Sequence, residues 1–227
     1  MGNEKKAAGE AAAAYVENGM IVGLGTGSTV RYTIEKIAER IKAEGLQIKG
    51  IPTSRATEEL AKELGIPLVS LGEIDGIDVT IDGADEADGN LNGIKGGGGA
   101  LLFEKIVASF SKRNIWVLDS RKKVEQLGAF PLPVEVVPFA CPVVLRTLES
   151  EGMNPVVREN NGERFVTDSG NWIVDLHLRN IDEPEQLETW LNLLPGVVEN
   201  GLFLNRADLA LVANGESVHP YKRHKSN

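Results

Sequence analysis

Short apolar runs alternate with longer amphipathic stretches through the first half of the chain. Residues 20–25 (MIVGLG) read as a strand, and Val30, Ile34, Ile37 and Ile41 then recur at helical spacing up to Gly45. Ahead of them, the Ala-rich residues 4–18 read as a helix stopped by Gly19. Residues 46–51 predict a second strand and 54–64 a second crossover helix. Residues 67–70 and 77–82 predict further strands, 100–110 a helix and 114–119 (NIWVLD) a strand. Strands alternating with helices indicate parallel βαβ units, and runs such as IWVL suit a sheet buried on both faces.

The pattern changes near Pro131. From there it predicts a strand beginning at Val134 (VEVVPF), a helix over 141–151, strands over 154–159 and 172–178, a helix over 183–193 and a strand over 197–204. That is the β-α-β-β-α-β order of a ferredoxin-like unit. The alternation of Trp172, Val174, Leu176 and Leu178 marks a strand with one buried face. Residues 208–213 (DLALVA) predict one more buried strand that returns to the first sheet. The ending HPYKRHKSN, with His219 and His224, reads as a solvated tail. The expected division is an α/β unit of residues 1–130 plus 205–227 and a second unit of residues 131–204.

Charge and cysteine content narrow the classes of function. Twenty-four Lys and Arg stand against 33 Asp and Glu, a formal charge of −9, which argues against a nucleic-acid or anionic-membrane partner. The single cysteine, Cys141, excludes an internal disulfide framework and a Cys-rich zinc module, and it fits a reducing, cytoplasmic setting. No stretch is long and apolar enough for a membrane span, and the start lacks the apolar core of a signal peptide.

Four segments carry candidate chemistry. In GLGTGST (23–29), a glycine-rich turn leads into a helix whose first N–H groups are unpaired and partly positive, as a phosphate cradle requires. It is neither a Walker A loop nor a strict GxGxxG, and an ordinary tight βα turn has the same residues. In DVTIDGADEAD (78–88), Asp82, Asp85, Glu86 and Asp88 crowd the carboxyl end of a parallel strand. Ligands bind at that edge of open α/β sheets, and such a cluster suits a metal, a cation or polyol hydroxyls. Glu86 and Asp88 fit a solvated acidic turn better than a site. IKGGGGALLFEK (94–105) places Lys95 before four glycines and Glu104 early on the next helix. TSRAT (53–57), with Arg55, and DSRKK (119–123), with Lys122, follow strands at the same edge. His177 reads as a surface residue, and no two histidines have metal-ligand spacing. Cys141 opens a helix, whose dipole would lower its pKa, but no His lies near it in sequence.

GLGTGST, DGADEAD, KGGGGALLFEK, DSRKK, FPLPVEVVPF and LFLNRADLAL together resemble the ribose-5-phosphate isomerases of the A type, in family order over most of the chain. The resemblance implies a Rossmann-like catalytic domain with a smaller ferredoxin-like lid. It implies the interconversion of D-ribose 5-phosphate and D-ribulose 5-phosphate, in the non-oxidative pentose phosphate pathway, with no metal or organic cofactor. By position, Glu104 matches the family's general base, and Asp82, Asp85 and Lys95 match its other catalytic residues. Thr26, Gly27, Ser28, Thr29, Gly83, Ala84, Gly96, Gly97, Gly98 and Lys122 match substrate-binding positions, as do Asp82, Asp85 and Lys95. The expected partner is a small sugar phosphate, and the expected assembly is a homodimer or homotetramer. Gly99 departs from the pattern, where a small residue is expected after three glycines. The rival readings are an amino-sugar phosphate deaminase, a CoA transferase and a non-catalytic sugar-phosphate sensor.

Overall fold

The computed structural model describes residues 2–223. An opening helix α1 (Gly2–Ala13) ends five residues short of expectation, in turns over 14–19. Its Ala8, Ala12 and Ala13 are buried. Gly9 lets the backbone press on the next helix, since a Cβ there would lie 2.6 Å from the Thr29 carbonyl oxygen. Then come β1 (Ile21–Leu24), α2 (Val30–Glu44), β2 (Lys49–Pro52), α3 (Arg55–Leu64) and β3 (Val79–Asp82). Helices α2 and α3 both stop at glycines in the left-handed conformation, Gly45 (φ 71°) and Gly65 (φ 77°). The strand expected over 67–70 shrinks to a single bridge between Gly50 and Leu68.

Two short strands, β4 (Glu86–Ala87) and β5 (Gly93–Ile94), precede α4 (Leu101–Ser109) and β6 (Asn114–Asp119). Next come β7 (Leu132–Val136), α5 (Cys141–Ser150), β8 (Pro155–Val157), the hairpin β9 (Glu159–Asn160) and β10 (Glu163–Arg164), β11 (Trp172–Leu176), α6 (Pro184–Leu193) and β12 (Val197–Asn200). The chain returns through β13 (Leu202–Phe203), β14 (Leu209–Asn214) and β15 (Ser217–Lys222).

The large sheet has the order β15-β14-β6-β3-β1-β2, parallel except for β15. Val22, Leu24, Ile81, Ile115 and Leu211 form its core with the inner faces of α1 and α2. The smaller sheet, β12-β7-β11-β8, is antiparallel, which is the ferredoxin-like order. Leu132, Val134, Val136, Val174 and Leu176 pack beneath Leu148 of α5 and Leu191 of α6. Three expectations are corrected. The strand over 197–204 splits at Gly201, and its second half pairs with β5 instead. Gly201 is required there because a Cβ would lie 2.4 Å from the Lys95 carbonyl oxygen. Strand β11 is buried on both faces, since Ile173 packs with Ala84, Leu101 and Phe203. The expected tail is a strand as far as Lys222, so His219 pairs with Val212, while His224 lies outside the described residues.

Candidate active site

Three loops meet at the carboxyl edge of the large sheet, and Asp82 is where they join. It ends β3 and is buried, with its Oδ1 accepting from the Thr26 N–H (3.0 Å) and the Gly83 N–H (2.7 Å). Gly25 permits this approach, because a Cβ there would lie 2.2 Å from Asp82 Oδ1. The Thr26 hydroxyl lies within 2.7 Å of Thr53 Oγ1 and 2.8 Å of Ser54 Oγ. The 53–57 loop thus braces the first loop from behind. Arg55 is drawn off by Asp168, which takes its N–H at 2.8 Å and a guanidinium bond through its carbonyl at 3.1 Å.

The N–H groups of Gly27, Ser28 and Thr29 have no acceptor among the described residues, and all three residues line a cavity. Donors of this kind at the start of α2 favour an anion. Lys5 of α1 adds a positive charge, donating to Ser28 Oγ at 2.9 Å. Sequence reading passes over Lys5, which looks like any surface charge on an Ala-rich helix. Only the close α1–α2 packing at Gly9 brings it to the loop. Lys122 also lines the cavity, donating to the Ala84 carbonyl at 2.6 Å and lying 3.6 Å from Asp85 Oδ1.

Behind these loops sits a buried triad. Lys95 Nζ lies 3.1 Å from Asp82 Oδ2 and 3.1 Å from Glu104 Oε1, and it donates to the Gly83 carbonyl at 2.5 Å. All three side chains are at most 5% exposed. Burial opposes the charge on Lys95, but Asp82, Glu104 and Asp85 outweigh it and hold the ammonium above its usual range. Burial, reinforced by the Asp82 charge, pushes the Glu104 carboxyl up to about 8. Burial also raises Asp82. Glu104 Oε2 has no hydrogen-bond partner among the described residues, although Glu104 lines the cavity. An unpartnered buried carboxylate oxygen is costly, and a raised carboxyl pKa is common where proton transfer occurs.

The glycine loop closes the cavity. Asp85 Oδ2 accepts from the Gly97 N–H at 2.8 Å. Gly96 (φ 103°) and Gly99 (φ 80°) both require a conformation that side chains disfavour. A Cβ on Gly99 would also lie 2.3 Å from the Phe165 ring, so the departure from the pattern at this fourth glycine has a steric reason.

Thr26, Gly27, Ser28, Thr29, Gly83, Ala84 and Asp85 share the cavity with Lys95, Gly96, Gly98, Glu104 and Lys122. Asp82 and Gly97 stand behind this wall as partners of Lys95 and Asp85. The volume is about 220 Å³, which suits a small polar ligand. A larger groove of about 480 Å³ is lined by apolar side chains such as Ile51, Leu68, Phe103 and Ile106 and lacks these convergent donors.

Other candidates fall outside the cavity. Glu86 is buried, not solvated, and accepts from Gly128 N–H (2.8 Å) and Phe130 N–H (2.6 Å). Asp88 takes the N–H groups of Asn90 and Asn92, both at 2.8 Å. The four carboxylates of the acidic segment therefore answer four different sets of donors. Cys141 is buried, and desolvation raises its pKa, opposite to the helix-dipole expectation. His177 is exposed.

Comparisons with known proteins cover most of the chain. A family model described as Ribose 5-phosphate isomerase A (phosphoriboisomerase A) matches residues 49–217. The Ribose-5-phosphate isomerase A of Streptococcus agalactiae serotype III is 56% identical over 209 residues, covering 92% of this chain and 94% of that one. The solved ribose 5-phosphate isomerase from Plasmodium falciparum matches with a TM-score of 0.95 at 38% identity, covering 100% of both chains. A D-ribose-5-phosphate isomerase in complex with phospho-erythronic acid matches with a TM-score of 0.93 at 41% identity, covering 97% of this chain and 98% of that one. Among the described residues no helix is long and apolar enough to cross a membrane.

Proposed function

Given that the chain belongs to the ribose 5-phosphate isomerase A family, we propose that Glu104 is the general base of its reaction. The protein is an aldose–ketose isomerase of the pentose phosphate pathway that interconverts D-ribose 5-phosphate and D-ribulose 5-phosphate. The deaminase, transferase and sensor readings gain no support from these relatives.

The reaction moves one proton between adjacent carbons. The carbon acid is weak, so the base must be close and the enediolate must be stabilised. Glu104 removes the proton from C2 and returns it to C1. A positioned base typically contributes about 10²–10⁴ in rate. The observation that carries this role is the unpartnered Glu104 Oε2, whose carboxyl burial raises towards neutrality. Lys95, fixed by Asp82 and Glu104, offers the positive charge for the developing enediolate. Asp85, which lines the cavity, holds sugar hydroxyls and assists ring opening, while Asp82 behind the wall fixes Lys95. The phosphate rests on the Gly27–Thr29 amides with Lys5 beside them, giving remote binding energy that positions the reacting carbons. Every step uses side chains and amides of this chain.

We assign residues 1–130 plus 205–227 to the catalytic domain and residues 131–204 to the lid. Association into a homodimer or homotetramer in the cytoplasm belongs to the same proposal. The exposed apolar side chains Phe110, Phe139 and Leu193 support it, as surfaces that a second copy would cover.

Turnover in deuterated water tests the proton path. Solvent deuterium should enter at the transferred position, and Glu104→Gln should lower kcat by about 10²–10⁴ with a small change in KM. Complete retention of substrate hydrogen, or a change confined to KM, overturns the assignment.

A further inference from the structure

The glycine loop has few side chains of its own, and one internal bond, from the Gly99 N–H to the Gly96 carbonyl at 2.9 Å, closes its turn; further contacts that fix its peptides come from outside it. The smaller sheet supplies the contact. Arg158, just after β8, forms a bidentate pair with Asp175 of β11, with Nε to Oδ2 at 2.8 Å and Nη2 to Oδ1 at 2.5 Å. The pair is largely buried, with side-chain exposures of 14% and 17%. The remaining nitrogen, Nη1, donates to the carbonyls of Gly96 at 2.8 Å and Gly97 at 3.1 Å.

A trans peptide is planar, so its C=O and N–H point in opposite directions. Drawing the Gly96 and Gly97 carbonyls towards Arg158 turns the Gly97 and Gly98 N–H groups the other way. The first reaches Asp85 Oδ2 at 2.8 Å. The second has no acceptor among the described residues, and Gly98 lines the cavity. We propose that Arg158, aimed by Asp175, is a positioning residue that fixes the Gly98 N–H as a donor to an oxygen of the reacting sugar and holds Asp85 in register through Gly97. The inference rests on the cavity being the isomerase site and adds a role for a residue that never touches substrate.

Three probes test it: turnover of ribose 5-phosphate, affinity for phospho-erythronic acid, and competitive inhibition by inorganic phosphate. Arg158→Ala should lower kcat about tenfold to a hundredfold, the cost of misplacing a donor by about an ångström. It should weaken phospho-erythronic acid by a similar factor and leave inhibition by inorganic phosphate unchanged, because that anion rests on the Gly27–Thr29 loop. Added guanidinium should restore part of the loss. Asp175→Asn, which keeps the cation but loosens its aim, should move the same quantities less, and it decides the matter if Arg158→Ala does not fold. Wild-type values in both variants overturn the proposal, as does a parallel loss of phosphate and phospho-erythronic acid affinity, which would signify general damage. Unchanged turnover in Glu104→Gln would instead overturn the underlying assignment of the base.

Discussion

Glu104→Gln should make the protein slower yet more stable relative to its parent as pH rises. The native carboxyl titrates near 8 against a reference of 4.5, because burial and the Asp82 charge disfavour its ionised form. Between those values the native state holds a proton that the unfolded chain has released, so unfolding becomes easier as pH increases. Each pH unit costs about 1.4 kcal/mol until the native carboxyl itself ionises, giving about 3 kcal/mol by pH 7 and about 4 kcal/mol by pH 8. Glutamine keeps the shape and cannot ionise, so it escapes this loss, although it weakens the contact to Lys95. Contributions from titrating groups remote from Glu104 cancel when the two proteins are compared at one pH, whereas Asp82 and Lys95 are coupled to it and change with it. Urea unfolding of both at pH 5, 6, 7 and 8 reads the difference directly. The gap should widen steadily in favour of the variant. A constant gap, or one that widens towards low pH, would mean that the native carboxylate is ionised throughout, and the account of its basicity would fail.

The same ionisation should appear in kinetics, with kcat/KM rising through a midpoint near pH 8; a plateau already reached at pH 6 contradicts this. Lys95→Met removes the cation shared by two buried carboxylates, and urea unfolding should show a loss of about 3–5 kcal/mol. A loss too small to measure would show that the cluster is solvated. Gly99→Ala forces a side chain into a left-handed backbone and against Phe165, costing about 1–3 kcal/mol in thermal or urea unfolding. A second change, Phe165→Ala, should recover only the steric part. Exhaustive chelation should leave turnover intact; loss reversed by a divalent cation would make the acidic segment a metal site.

Much of this was readable in the amino-acid pattern because the signals were local. The period of Val30, Ile34 and Ile37 marks α2, the apolar run of residues 114–119 marks β6, and both match the structure. The motif loops fall where parallel strands end, so Asp82, Lys95 and Glu104 converge as sheet topology requires. What escaped depends on distant contacts. Strands β4, β5 and β13 span two residues each, too short for any periodicity. Strand β15 is a mostly exposed edge with a proline, and its polar surface resembles a tail. Lys5 and Arg158 carry no local mark either, since their importance comes from the backbone they meet after folding.

Consecutive residues on α4, about 100° apart around its axis, have unlike tasks. Glu104 looks into the cavity, while Lys105 reaches Glu199 at 2.7 Å and the Asn200 carbonyl at 2.8 Å on the smaller sheet. The Phe203 ring lies 5.3 Å from the Lys95 ammonium and 4.9 Å from that of Lys105. The smaller sheet is therefore tied to α4 at the residue next to Glu104. A graft that replaced the smaller sheet without residues 199–203 would remove the partners of Lys105 and the ring beside Lys95, so any exchange between relatives must carry that segment along.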